Sequence, residues 1–208
     1  MNINDVKDFE YSEENGLNDI FARQWELIEK YKKIERTEHL FTPEALRINI
    51  NTYKGQALLK DMTGRVWEEI MESAEAFNNN ETLHGFEEIS YSLHFCCELF
   101  IASGYTYKDF LPISQIDAIN GLRNAEPEIK SKMFDCLYFL GLARNCLKAK
   151  PWKIMPMLTD EIKYKELLDK FWFGFLVLCN EAGLTARDLY NYYFKKATVN
   201  AWRIESKY

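Results

Sequence analysis

Chemistry is concentrated first in the stretch "WEEIMESAEAF", residues 67–77, which carries Glu68, Glu69, Glu72 and Glu75. Three of these, Glu69, Glu72 and Glu75, follow one another at steps of three. On an α-helix, residues three apart lie about 60° from each other on one face. The carboxylates of Glu69 and Glu72 can therefore reach one point. A hard divalent cation that prefers oxygen ligands, Mg²⁺ above all, suits such a pair. No cation stands at i+3 or i+4 to neutralise them, and only Arg65 lies four residues before Glu69. The competing reading is a solvated helix face, since acidic triplets at this spacing are common on surfaces. A second acidic segment, "FEEISYSLHFCCELF" at residues 86–100, bears on the choice. It opens with Glu87 and Glu88 and carries His94 and Glu98 on an otherwise apolar background. An antiparallel hairpin of the two segments would set its acids beside Glu69 and Glu72. Alternatively, Glu87 and Glu88 only complement a helix dipole in the first turn.

The elements that must position these groups are helical. Apolar residues recur at steps of three and four over 17–34, where Leu17, Ile20, Phe21, Trp25, Leu27, Ile28 and Tyr31 share a face. Residues 36–50 read as a connector and a short helix begun by Thr42-Pro43-Glu44. A long helix is expected over about 54–77, with Val66, Trp67, Ile70, Met71, Ala74 and Phe77 as its apolar set. It ends at "NNNET", because asparagines favour turns. A second central helix spans about 83–103 and stops at Gly104. Residues 105–127 are less regular, with Pro112, Gly121 and Pro127. Helices follow at about 127–147, 159–182 and 185–200, broken by "KAKPWKIMPM" and by a Gly183 C-cap. The tail beyond Asn200 reads as a less regular polar arm. The prediction is an all-α helical bundle in one domain over 1–208, without internal repeats.

Composition narrows the class of function. A formal charge of −6 and a pI near 5.3 argue against a nucleic-acid-binding surface. An acidic protein that handles anionic substrates needs local basic groups or a divalent cation. The five cysteines, Cys96, Cys97, Cys136, Cys146 and Cys179, form no C-x-x-C pair and no zinc spacing, and read as buried free thiols of a reducing compartment. The polar, acidic N-terminus is not a signal peptide, and no apolar run of about 18 residues exists to span a membrane. A soluble, cytoplasmic protein is expected.

Taken together, the acidic segments resemble the all-α nucleoside triphosphate pyrophosphatases: E-x-x-E on one helix, then an acid followed by His-Phe on the next. The chain resembles the dimeric dUTPase and phage dCTPase–dUTPase branch of that superfamily. "EEIMESAEAF" resembles the first acidic motif, which implies metal-ligand positions for Glu69 and Glu72, with Glu75 a further acid. "EEISYSLHF" resembles the second, with Glu88 at the acid and His94-Phe95 at the His-Phe. Gln24, in "IFARQWELIEKY", resembles the glutamine that contacts the base. "LYNYYFKKATVNAWRIESKY" resembles the tyrosine-rich family ending, in which Lys196, Asn200, Arg203 and Tyr208 keep their places and spacing. The resemblance implies Mg²⁺-dependent hydrolysis of dUTP or dCTP to the monophosphate and pyrophosphate. It also implies a homodimer, with 105–182 as helical insertion and subunit-contact region. Lys196 and Arg203 would neutralise phosphate, while Gln24 and Asn200, each with an amide donor and acceptor, would read a pyrimidine edge. Members of the branch are common in bacteriophages, which implies a phage source.

The chain departs from the pattern at definite positions. Where the second motif has an aspartate, this sequence has Tyr91, and a phenol is a poor Mg²⁺ ligand beside a carboxylate. Ala197, Ile204 and Lys207 replace the ending's asparagine, glutamine and glycine, and "NNNETLHG" stands where the branch often has Lys-x-x-Trp. Glu87 or Glu98 is available to compensate, but no spacing compels either. Two readings stay open: an active pyrophosphatase, or a catalytically impaired homologue that binds nucleotide or another protein. Among the other polar and aromatic residues, His94 is expected to be a satisfied core histidine, with His39 and His84 on the surface. Phe171, Trp172, Phe173 and Phe175 suit core or dimer interface, as do Tyr190, Tyr192 and Tyr193. No Ser-His-Asp triad, Gly-rich phosphate loop or dinucleotide fingerprint is present.

Overall fold

A computed structural model describes residues 2–119, 129–150, 152 and 158–206. Among these it contains α-helices and short 3₁₀ turns and no strand. The α-helices are α1 (Gly16–Ile34), α2 (Pro43–Leu46), α3 (Tyr53–Asn78), α4 (Thr82–Ala102), α5 (Gln115–Ile119), α6 (Ile129–Cys146), α7 (Glu161–Ala182) and α8 (Ala186–Glu205). The all-α expectation is thus met, and α5 adds a short helix inside the stretch expected to be irregular. No helix among the described residues is long and apolar enough to cross a membrane.

Local chemistry sets the helix ends that matter for the site. Thr52 caps α3 by accepting a hydrogen bond from the Gly55 N–H at 3.1 Å. Asn80 turns the chain back with φ +61, a left-handed conformation that asparagine tolerates, so only residues 79–81 separate α3 from α4. The return is close. A Cβ on Gly85 would stand 2.7 Å from the Phe77 ring, so only glycine lets α4 begin flush against the end of α3. Gly183, with φ +100, ends α7, and Thr185 with Asp188 forms a reciprocal capping box that starts α8.

The α3–α4 hairpin is the centre of the molecule. Leu59, Met62, Val66 and Ile70 of α3 face Ile89, Leu93, Cys96 and Phe100 of α4, all fully buried. α4 also packs on α1 and α8, so it is covered on nearly every side. α6 and α7 pair outside this unit, and α6 leans on α3. Phe171, Trp172 and Phe175 are buried in the core, as are Tyr190 and Tyr193, while Phe173 is half exposed. All five cysteines are free and buried.

The C-terminal arm is corrected. α8 does not loosen after Asn200 but runs to Glu205. Its polar composition suggested an arm, yet Ala201 to Glu205 contain no breaker, and Ala201 is buried against the bundle. Lys196, Asn200 and Arg203 therefore ride on one continuous helix, at the i, i+4, i+7 spacing of a single face.

Candidate functional site

The hairpin brings three carboxylates together. One oxygen each from Glu69, Glu72 and Glu88 lies within 4.8 Å of the others, which joins α3 to α4 at one point. Their surroundings differ. Glu72 is exposed, Glu69 is half-buried, and Glu88 is buried beneath His84, whose Nδ1 lies 3.3 Å from a Glu88 oxygen. His84 is exposed, as expected, but its contact with the cluster was not anticipated. The i, i+4 relation of His84 to Glu88 was the available signal. Burial pushes the Glu69 carboxyl up to about 8, followed by its hydrogen bond to Glu88 and repulsion from Glu88 and Glu72, while Lys196 pulls the other way. Without a cation the site thus retains a proton among its carboxyls. An octahedral Mg²⁺ places opposite ligand oxygens about 4.2 Å apart. The three oxygens are hard donors close to that span, so the residues present fit a divalent ion with small side-chain adjustments.

Glu69 also lines a cavity of about 250 Å³ enclosed by α1, α3, α4 and α8. Gln24 and Asn200, expected to read a base, and Lys196, expected to meet phosphate, line the same cavity. Larger open grooves of about 620 and 860 Å³ lie elsewhere, but neither contains any of the expected site residues.

Within the cavity wall Gln24 is held from two sides. Its Oε1 lies 3.1 Å from His94 Nδ1 and 3.0 Å from the Tyr193 hydroxyl, which also reaches the Ile20 carbonyl at 3.0 Å. The His94 and Tyr193 rings stack at 4.1 Å. Burial and the charge of Lys196 press the His94 pKa down to about 3, so the imidazole is neutral. With Nδ1–H donating to Oε1, the Gln24 amide oxygen is fixed in the wall while the residue lines the cavity. His94 Nε2 remains buried without a partner, so His94 is only half the satisfied core histidine expected.

Several residues stand apart from expectation. Arg65 turns away from the carboxylate cluster to Asp61 at 3.0 Å and Glu35 at 3.4 Å. Glu75 is exposed and outside the three-oxygen cluster. Arg203 is exposed and does not line the cavity, though its charge acts on Tyr31 and Lys196. Tyr208 lies outside the described residues. Tyr91 is half-buried with its hydroxyl 3.4 Å from Glu87, and the Lys196 ammonium sits 3.3 Å from the centre of its ring. Glu98, Tyr31 and Phe95 also line the cavity. Burial raises the Glu98 carboxyl to about 7, with Glu35 adding to the rise and Arg65 opposing it. Glu98 and Phe95 carry a signal in the second acidic segment, whereas Tyr31 reads only as part of the apolar face of α1.

Compared with known families, residues 70–208 match the sequence model of the family described as dUTPase. Glu72, Glu88, Lys196, Asn200 and Arg203 fall inside that stretch. Gln24 and Glu69 precede it, and their place in the site rests on the geometry above. No curated protein and no solved structure matches the chain.

Proposed function

The chain belongs to the dUTPase family, and from that premise we propose that it hydrolyses a pyrimidine deoxynucleoside triphosphate, dUTP, dCTP or both, to the monophosphate and pyrophosphate with Mg²⁺. The observation that carries this reading is the double role of Glu69. It belongs both to the three-carboxylate cluster and to the wall of the cavity lined by Gln24 and Asn200. A triphosphate held at the cluster can thus place its base in the cavity.

Glu69, Glu72 and Glu88 would hold the metal, which supplies charge neutralisation for the triphosphate and a water made nucleophilic near neutral pH. Lys196 stands between cluster and cavity, placed to meet phosphate oxygens. Arg203, a helical turn beyond Asn200, adds positive charge at the rim. Gln24, its amide fixed by His94 and Tyr193, donates to a base carbonyl, and Asn200 reads a second position of the same edge. The leucine and aromatic walls (Leu27, Tyr31, Phe95) exclude water from the base.

The test is direct. Each deoxynucleoside triphosphate is incubated with the protein and Mg²⁺, and pyrophosphate is followed. Release from dUTP or dCTP, abolished by EDTA, is the expected result, and no release from any nucleotide sinks the enzyme reading. Tyr91 at the expected carboxylate position favours one second reading, an impaired homologue that binds nucleotide without turnover. Saturable dUTP or dCTP binding with no pyrophosphate would support it.

The domain is proposed to be a single one over 1–208, with 105–182 as the helical insertion that meets a second copy in a homodimer. In support, Trp67 and Met71 of the expected apolar set do not enter the core. They are exposed and, with Phe134 and Tyr138 of α6, form an apolar groove. Light scattering is expected to give twice the chain mass, and Phe134→Glu to shift it toward the monomer. A wild-type monomer at micromolar concentration would refute the assembly.

A further inference from the structure

The position where the resemblance places a carboxylate is filled by a phenol, and a lysine rests on it. We propose that the Lys196 ammonium, seated on the face of the Tyr91 ring, is a built-in cation of the site, so that the three carboxylates take a single divalent ion before nucleotide binds. The inference rests on the metal reading above but concerns this chain's own residues.

The geometry is specific. Tyr91 follows Glu88 by three residues on α4, so both project from one face of the helix. A carboxylate at 91 would extend the cluster and widen it for a second ion. Instead the ring fills that place, its hydroxyl directed to Glu87 at 3.4 Å rather than to the cluster. Lys196 approaches from α8, with Nζ 3.3 Å from the ring centre, a close cation–π contact. Its neighbour Lys195 serves a different purpose, pairing with Asp8 at 2.6 Å on the outside. Lys196 is half-buried and makes no ion pair within 4 Å among the described residues, yet its charge acts on Glu69, Glu88 and Glu87. The balance of charge agrees. Three carboxylates carry three negative charges, and one divalent ion with one ammonium neutralises them. A second divalent ion would arrive beside a fixed positive charge, and Glu87, the further carboxylate that acts on Lys196, faces the Tyr91 hydroxyl instead of the cluster.

The role of Tyr91 is therefore to hold a cation rather than to be a ligand. Lys196 then does two things in sequence: it completes the charge of the cluster in the free protein, and it is already in place when a triphosphate arrives.

Mn²⁺, counted by electron paramagnetic resonance and calorimetry on the nucleotide-free full chain, tests this. Wild type and Tyr91→Phe are expected to bind one ion, because the ring is kept, and Tyr91→Asp to bind two. Lys196→Met is expected to tighten the first ion by roughly five- to tenfold, the order for one unit charge acting on a divalent ion across a few ångströms of water-like dielectric. Two ions in wild type, or none at millimolar Mn²⁺, would overturn the proposal. So would unchanged affinity and stoichiometry in Lys196→Met, a variant that keeps an unbranched side chain against the ring and removes the charge. The readout is separate from catalysis: one bound ion without pyrophosphate release would refute the proposed hydrolysis and leave this inference standing.

Discussion

Glu69→Ala is expected to abolish Mg²⁺-dependent pyrophosphate release, with kcat falling at least about a thousandfold, or about 4 kcal/mol of transition-state stabilisation. Three features single out this residue. It supplies one of three converging oxygens, it is the member shared with the cavity, and its carboxyl is raised by burial and by its acidic neighbours. That crowding costs stability in the free protein and is relieved by a cation, so the residue is held for the ion and not for the fold. The variant should accordingly fold, and its Tm without metal should equal or exceed that of wild type. Glu72→Ala should lose turnover to a similar degree. Glu68→Ala and Glu75→Ala, on exposed carboxylates outside the cluster, should change kcat less than about threefold. Pyrophosphate release at saturating nucleotide decides the matter. A Glu69→Ala enzyme within twofold of wild type would move the metal away from this hairpin.

The contrast between Glu69 and Glu75 shows where sequence reasoning is strong and where it stops. Spacing placed both on one stripe of α3, and the three-asparagine turn announced the hairpin that brings Glu88 to Glu69 and Glu72. These are local facts, governed by helical periodicity and by the short reach of residues 79–81. Which carboxylate of the stripe meets the second helix depends on how α4 packs against α3, and no spacing rule states that. The same limit explains Arg65, whose partner is Glu35, thirty residues away in sequence, besides the nearby Asp61. It also explains why Gln24, His94 and Tyr193, on three different helices, could be picked singly but not joined. The end of α8 shows the opposite limit. Its polar composition points to irregularity, although helix formation there needs only the absence of breakers and one buried alanine.

In the absence of divalent ions, Tm is expected to fall as pH rises from about 6.5 to 8. Among the described residues two carboxyls have raised values in the folded chain, Glu69 to about 8 and Glu98 to about 7, against an ordinary value of 4.5. A group that holds its proton more tightly when folded stabilises the protein at low pH, and that stability is lost as pH climbs through the folded value. Below about 6.5 the trend is offset by His94. Its value is depressed to about 3 in the fold, so the unfolded chain binds a proton there that the folded chain refuses. Above about 8 the buried thiols, which ionise only in the unfolded chain, begin to contribute. The window between these limits belongs to the two carboxyls. Glu69 is only partly buried, so its share is reduced by solvent screening, and Glu98→Gln should remove the part of the slope below about pH 7 while leaving the part between 7 and 8. Mg²⁺ competes with protons for the Glu69 cluster. At a hundredfold excess over its Kd it should stabilise by about 2.7 kcal/mol, or roughly 5–10 °C for a chain of this size, at pH 8 and distinctly less at pH 6. Thermal denaturation in EDTA and in Mg²⁺ across this range provides the check. A flat Tm in EDTA, or a Mg²⁺ shift independent of pH, would show that the raised carboxyls and the metal position are not the same groups.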